Sequence, residues 1–136
     1  MCTINKDYPE AAWVSLILRI AMASLFAVAS ISKFIGGIGA TVSHFQEMFK
    51  ATWLPLVLVT PYAYAIAFAE ALIVIWLLSG ISLRAGWIFT AGVLISLGFG
   101  LSVAKQSSAD VFMFLLTACM GLYVSQYDQC VIGGKK

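Results

Sequence analysis

The chain has 136 residues, enough for one domain, and 62% of them are hydrophobic whereas 10% carry a charge. Soluble domains contain about half apolar and about a quarter charged residues, so this composition indicates an integral membrane protein. The net charge of +2 is too small to indicate nucleic-acid binding, because the few basic residues stand singly near the ends of apolar segments. We expect a single membrane domain over residues 1–136 and no nucleic-acid partner.

The first apolar segment predicts a membrane-spanning helix over about residues 11–35. Pro9 and Glu10 suit its first turn. Small-residue sites in this segment are similar to signal-peptide cleavage sites, but we expect the segment to be retained as a span. At about 100° per residue, one helix face carries most of its polar residues. This face holds Ser15, Arg19, Ala23, Phe26, Ser30 and Lys33. It is predicted to contact other helices.

Glycines at 36, 37 and 39 predict a turn after the first span. The segment that follows, about residues 40–58, repeats large apolar residues at helical spacing beside polar ones. We expect a short amphipathic helix in the membrane interface, and a helix packed on the bundle from the soluble side is the alternative. His44 in this segment has no second His and no Cys nearby, so no metal site is predicted.

Three further spans are predicted over about residues 62–78, 84–105 and 109–126. Four spans joined by two short connections and one long one indicate an antiparallel bundle with both termini on one side. Basic residues favour cytoplasmic termini by four to three. The predicted fold class is therefore an all-α membrane protein, a four-transmembrane-helix antiparallel bundle with an interfacial amphipathic helix between its first two spans.

Glu70 lies about halfway along the second predicted span. A carboxylate there costs roughly 2.5–3.5 kcal/mol on insertion scales unless it is neutralised or paired. Ala63, Ala67 and Val74 share its helix face, and small side chains let a neighbouring helix approach closely. Glu70 is therefore expected to point into protein and not into lipid.

Depth in the membrane predicts which charges can meet. In an antiparallel pair of spans, Arg19 lies roughly 6 Å from the level of Glu70, which an extended arginine side chain covers. We predict an Arg19–Glu70 ion pair on this basis. Lys33 lies at the other end of the first span and is predicted to form a second polar cluster with Lys105 and Asp110.

Two roles stay open for these charges. A buried ion pair can specify the register of two helices without any ligand. Ionisable groups inside a membrane also mark proton, ion or substrate paths, and a poorly paired Glu70 could exchange a proton beside a quinone head group. A dithiol redox centre is disfavoured, because Cys2, Cys119 and Cys130 form no C-x-x-C pair and no metal-ligand spacing.

Several stretches of the sequence match a known family. They are Leu18-Arg19-Ile20, Phe26, Ser32-Lys33-Phe34, Ala69-Glu70-Ala71-Leu72 and the segment 77–84. On these stretches the chain resembles the DoxX-like family of small four-helix membrane proteins, over about residues 11–128. The family's usual Arg, Lys, Glu and Arg positions correspond to Arg19, Lys33, Glu70 and Arg84. The glycine that the family commonly carries before its Lys motif is replaced by Ala29-Ser30-Ile31.

The resemblance implies a protein of the bacterial or archaeal inner membrane, in a family that includes the small subunit of thiosulfate:quinone oxidoreductase. We expect a subunit, not catalytic on its own, that anchors or lines a larger quinone-linked redox complex. The alternative is a self-sufficient carrier or a lipid- or small-molecule-binding membrane protein. Its predicted partners are the lipid bilayer and other subunits. Quinone is the one cofactor that the resemblance implies, and no metal is predicted. The expected buried polar, quinone or proton site comprises Arg19, Lys33, Glu70, Arg84 and Asp110.

Overall fold

The computed structural model describes residues 9–126, and this part of the chain contains five helices. In chain order they are α1 (Pro9–Ile35), α2 (Ile38–Phe49), α3 (Leu56–Ser79), α4 (Leu83–Val103) and α5 (Ala109–Val124). Within that range there is no strand, so the all-helical prediction is confirmed. Helices α1, α3 and α4 are long and apolar enough to cross a membrane. Helix α5 is apolar but has 16 residues, and its crossing of the membrane stays a prediction, as does the interfacial position of α2.

Helices α1 and α3 pack side by side in opposite directions. Early in α1, Arg19 Nε donates a hydrogen bond to the Leu77 carbonyl near the end of α3, at 2.9 Å. Late in α1, the ring of Phe34 meets the ring of Phe68 edge to face, with centroids 5.9 Å apart. Residues later in α1 contact residues earlier in α3, so the two helices are antiparallel.

Helix α4 runs back along α3. The Tyr62 hydroxyl near the start of α3 is 2.9 Å from the Ser96 hydroxyl in the second half of α4. At the other end, the rings of Trp76 and Phe89 stack with centroids 5.8 Å apart. Helix α5 packs on α4 and also touches α1, so α1, α3, α4 and α5 form a closed ring, while α2 packs mainly on α3.

Trp87 is the largest side chain that is fully buried among the described residues. Its indole lies against Gly121 of α5, where a β-carbon would come within 2.5 Å of the ring. Two helices can approach this closely only because one of them carries a glycine at the contact. The outward faces, in contrast, present large apolar side chains, which include Ile17, Val28, Ile75, Ile95 and Leu116. Such faces are typical of helices that contact lipid or other membrane subunits.

The helix boundaries differ from the predicted ones mainly between α1 and α3. Helix α1 ends at Ile35 as predicted, and Gly37 adopts a positive φ of 86°. Helix α2 ends at Phe49, well before residue 58, and α3 begins at Leu56, six residues before Tyr62. Pro61 lies inside α3 near its start, where it removes a single backbone N–H.

Candidate functional site

The polar face predicted for α1 is buried in the structure. Ser15 is fully buried, and Arg19 and Ser30 are 6% and 5% exposed, although all three lie on a helix whose other faces are open. The apolar members of that face, Ala23 and Phe26, are each 2% exposed. The prediction from helical spacing that this face contacts other helices is therefore confirmed.

Glu70 points into the protein, as predicted, but its partner is Lys33. Lys33 Nζ donates to both carboxylate oxygens, Oε1 and Oε2, at 2.5 Å each. The Glu70 side chain is 4% exposed and that of Lys33 is 21% exposed. The predicted Arg19–Glu70 pair was wrong, and so was the predicted cluster of Lys33 with Asp110. The long lysine side chain lets the ammonium group on α1 reach the acid on α3.

Arg19 instead binds the end of α3. Its Nε donates to the carbonyl of Leu77 at 2.9 Å, and its Nη2 makes a longer contact of 3.5 Å with the carbonyl of Leu78. The last four carbonyls of a helix have no donor within the helix, so an outside donor is needed there. A cation at this end is also favoured by the helix dipole. Arg19 thus closes the C-terminus of α3 with side-chain hydrogen bonds.

The other two predicted site residues lie apart from this group. Arg84 and Asp110 are exposed, in the first turns of α4 and α5, so their predicted burial was wrong. Asp110 at the start of α5 has a favourable interaction with the helix dipole, which accounts for its position without a ligand. Of the five predicted residues, Lys33 and Glu70 are in contact, and Arg19 lies on the same pair of helices.

Sequence reasoning missed a cavity of about 220 Å³ between α2, α3 and α4. Its walls are apolar except at the Tyr62–Ser96 hydrogen bond. The lining residues are Phe49, Leu54, Leu58, Val59, Tyr62, Ser96, Phe99, Gly100 and Val103. A second cavity of about 150 Å³ shares Phe49, Tyr62 and Gly100 with it. The available signal was a tyrosine and a serine inside two apolar spans, each a hydroxyl that needs a partner in such surroundings.

The cysteine and histidine residues of the described part of the chain are exposed and lie on different helices. Cys119 is exposed on α5, and Cys2 and Cys130 lie outside the described residues. His44 is exposed on α2. Among residues 9–126, no three His, Cys, Asp or Glu side chains are grouped so that they could hold a metal ion.

Comparison with known proteins identifies one family. The family model described as methylamine utilisation protein MauE matches residues 11–112, which include most of α1, all of α2, α3 and α4, and the start of α5. Neither the curated proteins nor the solved structures gave a match, and no DoxX relative was found. Because the match covers most of the chain and the structure has three helices suited to crossing a membrane, the chain belongs to the MauE family and is a multi-pass membrane protein.

Proposed function

We propose that this chain is a small membrane subunit that anchors or lines a larger redox complex. In this proposal α5 crosses the bilayer together with α1, α3 and α4, and α2 lies at the interface. At about 1.5 Å per residue α5 is about 24 Å long, and a helix shorter than the hydrocarbon layer is accommodated by local thinning or by association with other chains. Both termini would face the cytoplasm of a bacterium or archaeon.

The contact between Lys33 and Glu70 is the observation that carries this proposal. Both oxygens of the acid are bound by the lysine, and Arg19 is bound to carbonyls at the end of α3. These groups are therefore engaged inside the protein, which supports a role in fixing the register of α1 against α3. The faces left for contact outside the bundle are apolar, as an anchoring subunit requires.

The family description and the resemblance support a redox role for the proposed complex. The MauE family is described by its part in methylamine utilisation. The DoxX-like stretches around Arg19, Lys33 and Glu70 are similar to those of subunits of quinone-linked complexes. We propose that the chain supports a membrane redox step of this kind and supplies no catalytic side chain to it.

Purification from native membranes tests the subunit role. The tagged chain is extracted in mild detergent and resolved on a blue-native gel, with subunit ratios from quantitative mass spectrometry. We expect at least one redox subunit to co-purify with this chain at a fixed ratio. When the tag is placed on that subunit instead, this chain should co-purify with it. An unrelated multi-pass protein with the same tag is the control. A homogeneous species that contains this chain alone would contradict the proposal.

The cavity beside Tyr62 favours the second candidate, a self-sufficient carrier or small-molecule-binding protein. It opens among apolar residues and offers one polar pair, Tyr62 with Ser96. Uptake of a lipid-soluble compound by liposomes that contain only the purified chain would support this role. Liposomes that show neither binding nor net uptake of the compound would leave the anchoring subunit as the better account.

A further inference from the structure

The cavity between α2, α3 and α4, which we call the α3–α4 cleft, lies at one end of the molecule. Tyr62 is near the start of α3, and Ser96 is in the second half of α4. Leu58 and Phe99 line the cleft and are 60% and 61% exposed, so the cleft opens on the apolar outer surface of the bundle. A molecule dissolved in the membrane could therefore enter it without crossing water.

The two hydroxyl groups of the cleft can arrange their protons in two ways. Ser96 Oγ is 2.9 Å from the Tyr62 hydroxyl and 3.1 Å from the carbonyl of Val93. If Ser96 donates to Val93 and Tyr62 donates to Ser96, the Tyr62 oxygen has a lone pair left to accept a hydrogen bond. If Ser96 donates to Tyr62, the Tyr62 hydroxyl proton is left to be donated. The Tyr62 hydroxyl can thus donate a hydrogen bond to a ligand or accept one from it.

We propose that the α3–α4 cleft binds a lipid-soluble ring compound that carries a carbonyl or hydroxyl oxygen, the head-group chemistry of a quinone and its quinol. An apolar cavity of about 150 Å³ admits a benzene ring, so about 220 Å³ holds a substituted ring. The aromatic side chains of Phe49 and Phe99 suit contact with a flat ring. The reversible Tyr62–Ser96 pair binds the ring oxygen in its oxidised or its reduced form.

This inference rests on the proposed membrane position of the chain but not on partner subunits. It also assigns the ligand to a place other than Lys33 and Glu70, which are bound to each other. Binding is therefore measured with the purified chain alone. If the purified chain binds the ring compound but no redox subunit co-purifies with it, the subunit proposal fails and this one stands. If a redox subunit co-purifies but the chain does not bind the ring compound, this proposal fails and the subunit proposal stands.

Equilibrium binding to the purified chain in lipid nanodiscs tests the site. The probes are a short-chain benzoquinone, its quinol and a saturated hydrocarbon of similar size. Tyr62→Phe removes the hydroxyl and keeps the ring, with Tyr64→Phe as its control on an exposed position of the same helix. Gly100→Leu fills the cleft, and Gly92→Leu is its control, because a β-carbon at Gly92 has nothing within 4 Å.

We expect the chain to bind the quinone and the quinol more tightly than the hydrocarbon. Tyr62→Phe should weaken both oxygen-bearing probes roughly two- to tenfold, and Gly100→Leu should weaken them roughly tenfold or more. Both control variants should bind as the unchanged chain does. The proposal is overturned if the chain binds neither probe, if the hydrocarbon binds equally well, or if Tyr62→Phe and Gly100→Leu leave binding unchanged.

Discussion

Lys33 and Glu70 meet across two candidate spans, and their burial is unequal. The carboxylate is 4% exposed, whereas the lysine side chain is 21% exposed and reaches the acid from nearer the surface. A lysine that loses its acid can turn its ammonium group outward, because its stem is long and flexible. A glutamate that loses its lysine has no such route, because its short side chain is enclosed. Replacing Lys33 and replacing Glu70 should therefore change the stability of the protein by different amounts.

Removal of Lys33 is expected to be more harmful than removal of the charge on Glu70. Lys33→Met leaves a buried carboxylate without its partner and should cost about 3–5 kcal/mol, whereas Glu70→Gln should cost less. The double variant Lys33→Met with Glu70→Met should recover much of the loss. Unfolding followed by circular dichroism in detergent micelles measures this order. Equal losses for the single variants, or a double variant at their sum, would contradict the unequal burial.

Arg19 is expected to stabilise the last turn of α3. Arg19→Gln leaves the Leu77 carbonyl without this donor and should cost roughly 1–3 kcal/mol. Arg19→Lys should recover only part, since an ammonium group lacks the planar arrangement of donors. Exposed Arg84 supplies the control, and Arg84→Gln should stay within about 0.5 kcal/mol. Hydrogen exchange of the amides in α3 would show whether the loss is local to its C-terminus, and a uniform loss would contradict this role.

Adding a side chain at Gly121, where α5 contacts Trp87, should destabilise the protein. In Gly121→Ala the new methyl group would lie 2.5–2.7 Å from the indole ring, so α4 and α5 must separate. We expect a loss of about 1–3 kcal/mol or more, whereas Gly92→Ala, which has open space, should be neutral or stabilising. Trp87→Phe removes the ring atoms in question and should reduce the cost of Gly121→Ala. A cost that is the same in both backgrounds would show that the two residues do not interact.

The burial of side chains was largely predictable from the sequence, because it follows from helical period alone. Arg19 and Glu70 were expected on inward faces, and both are buried. The partner of Glu70 was not predictable in the same way. The connection between α1 and α3 contains a helix of its own, so the length of the chain between them does not fix how the two spans align along their axes.

The boundary of α3 added to this error. The predicted span over about residues 62–78 has Glu70 at its middle. The helix begins at Leu56, so its middle lies earlier in the chain than Glu70. The α3–α4 cleft was missed for a different reason. A cavity depends on how three helices pack together, and the spacing of apolar residues along a single helix does not predict it.

Whether α5 crosses the membrane can be tested at Cys119. With Cys2 and Cys130 replaced by serine, we expect Cys119 to be protected from a charged maleimide in sealed vesicles and labelled after denaturation in detergent. Gln106→Cys in a chain that lacks the other cysteines is the control, because residue 106 is exposed between α4 and α5. Labelling of Cys119 as fast as that of the control position would show that α5 is in contact with water.

Pro61 removes one backbone hydrogen bond from α3 close to the start of the helix. Its nitrogen carries no hydrogen, so it cannot donate to the carbonyl of Val57, and the turn before it is joined to the rest of α3 by fewer backbone bonds. Leu58 and Val59 precede this weak point and Tyr62 follows it, and all three border the same cleft. The cleft is therefore lined by α3 residues on both sides of the one backbone hydrogen bond that Pro61 removes.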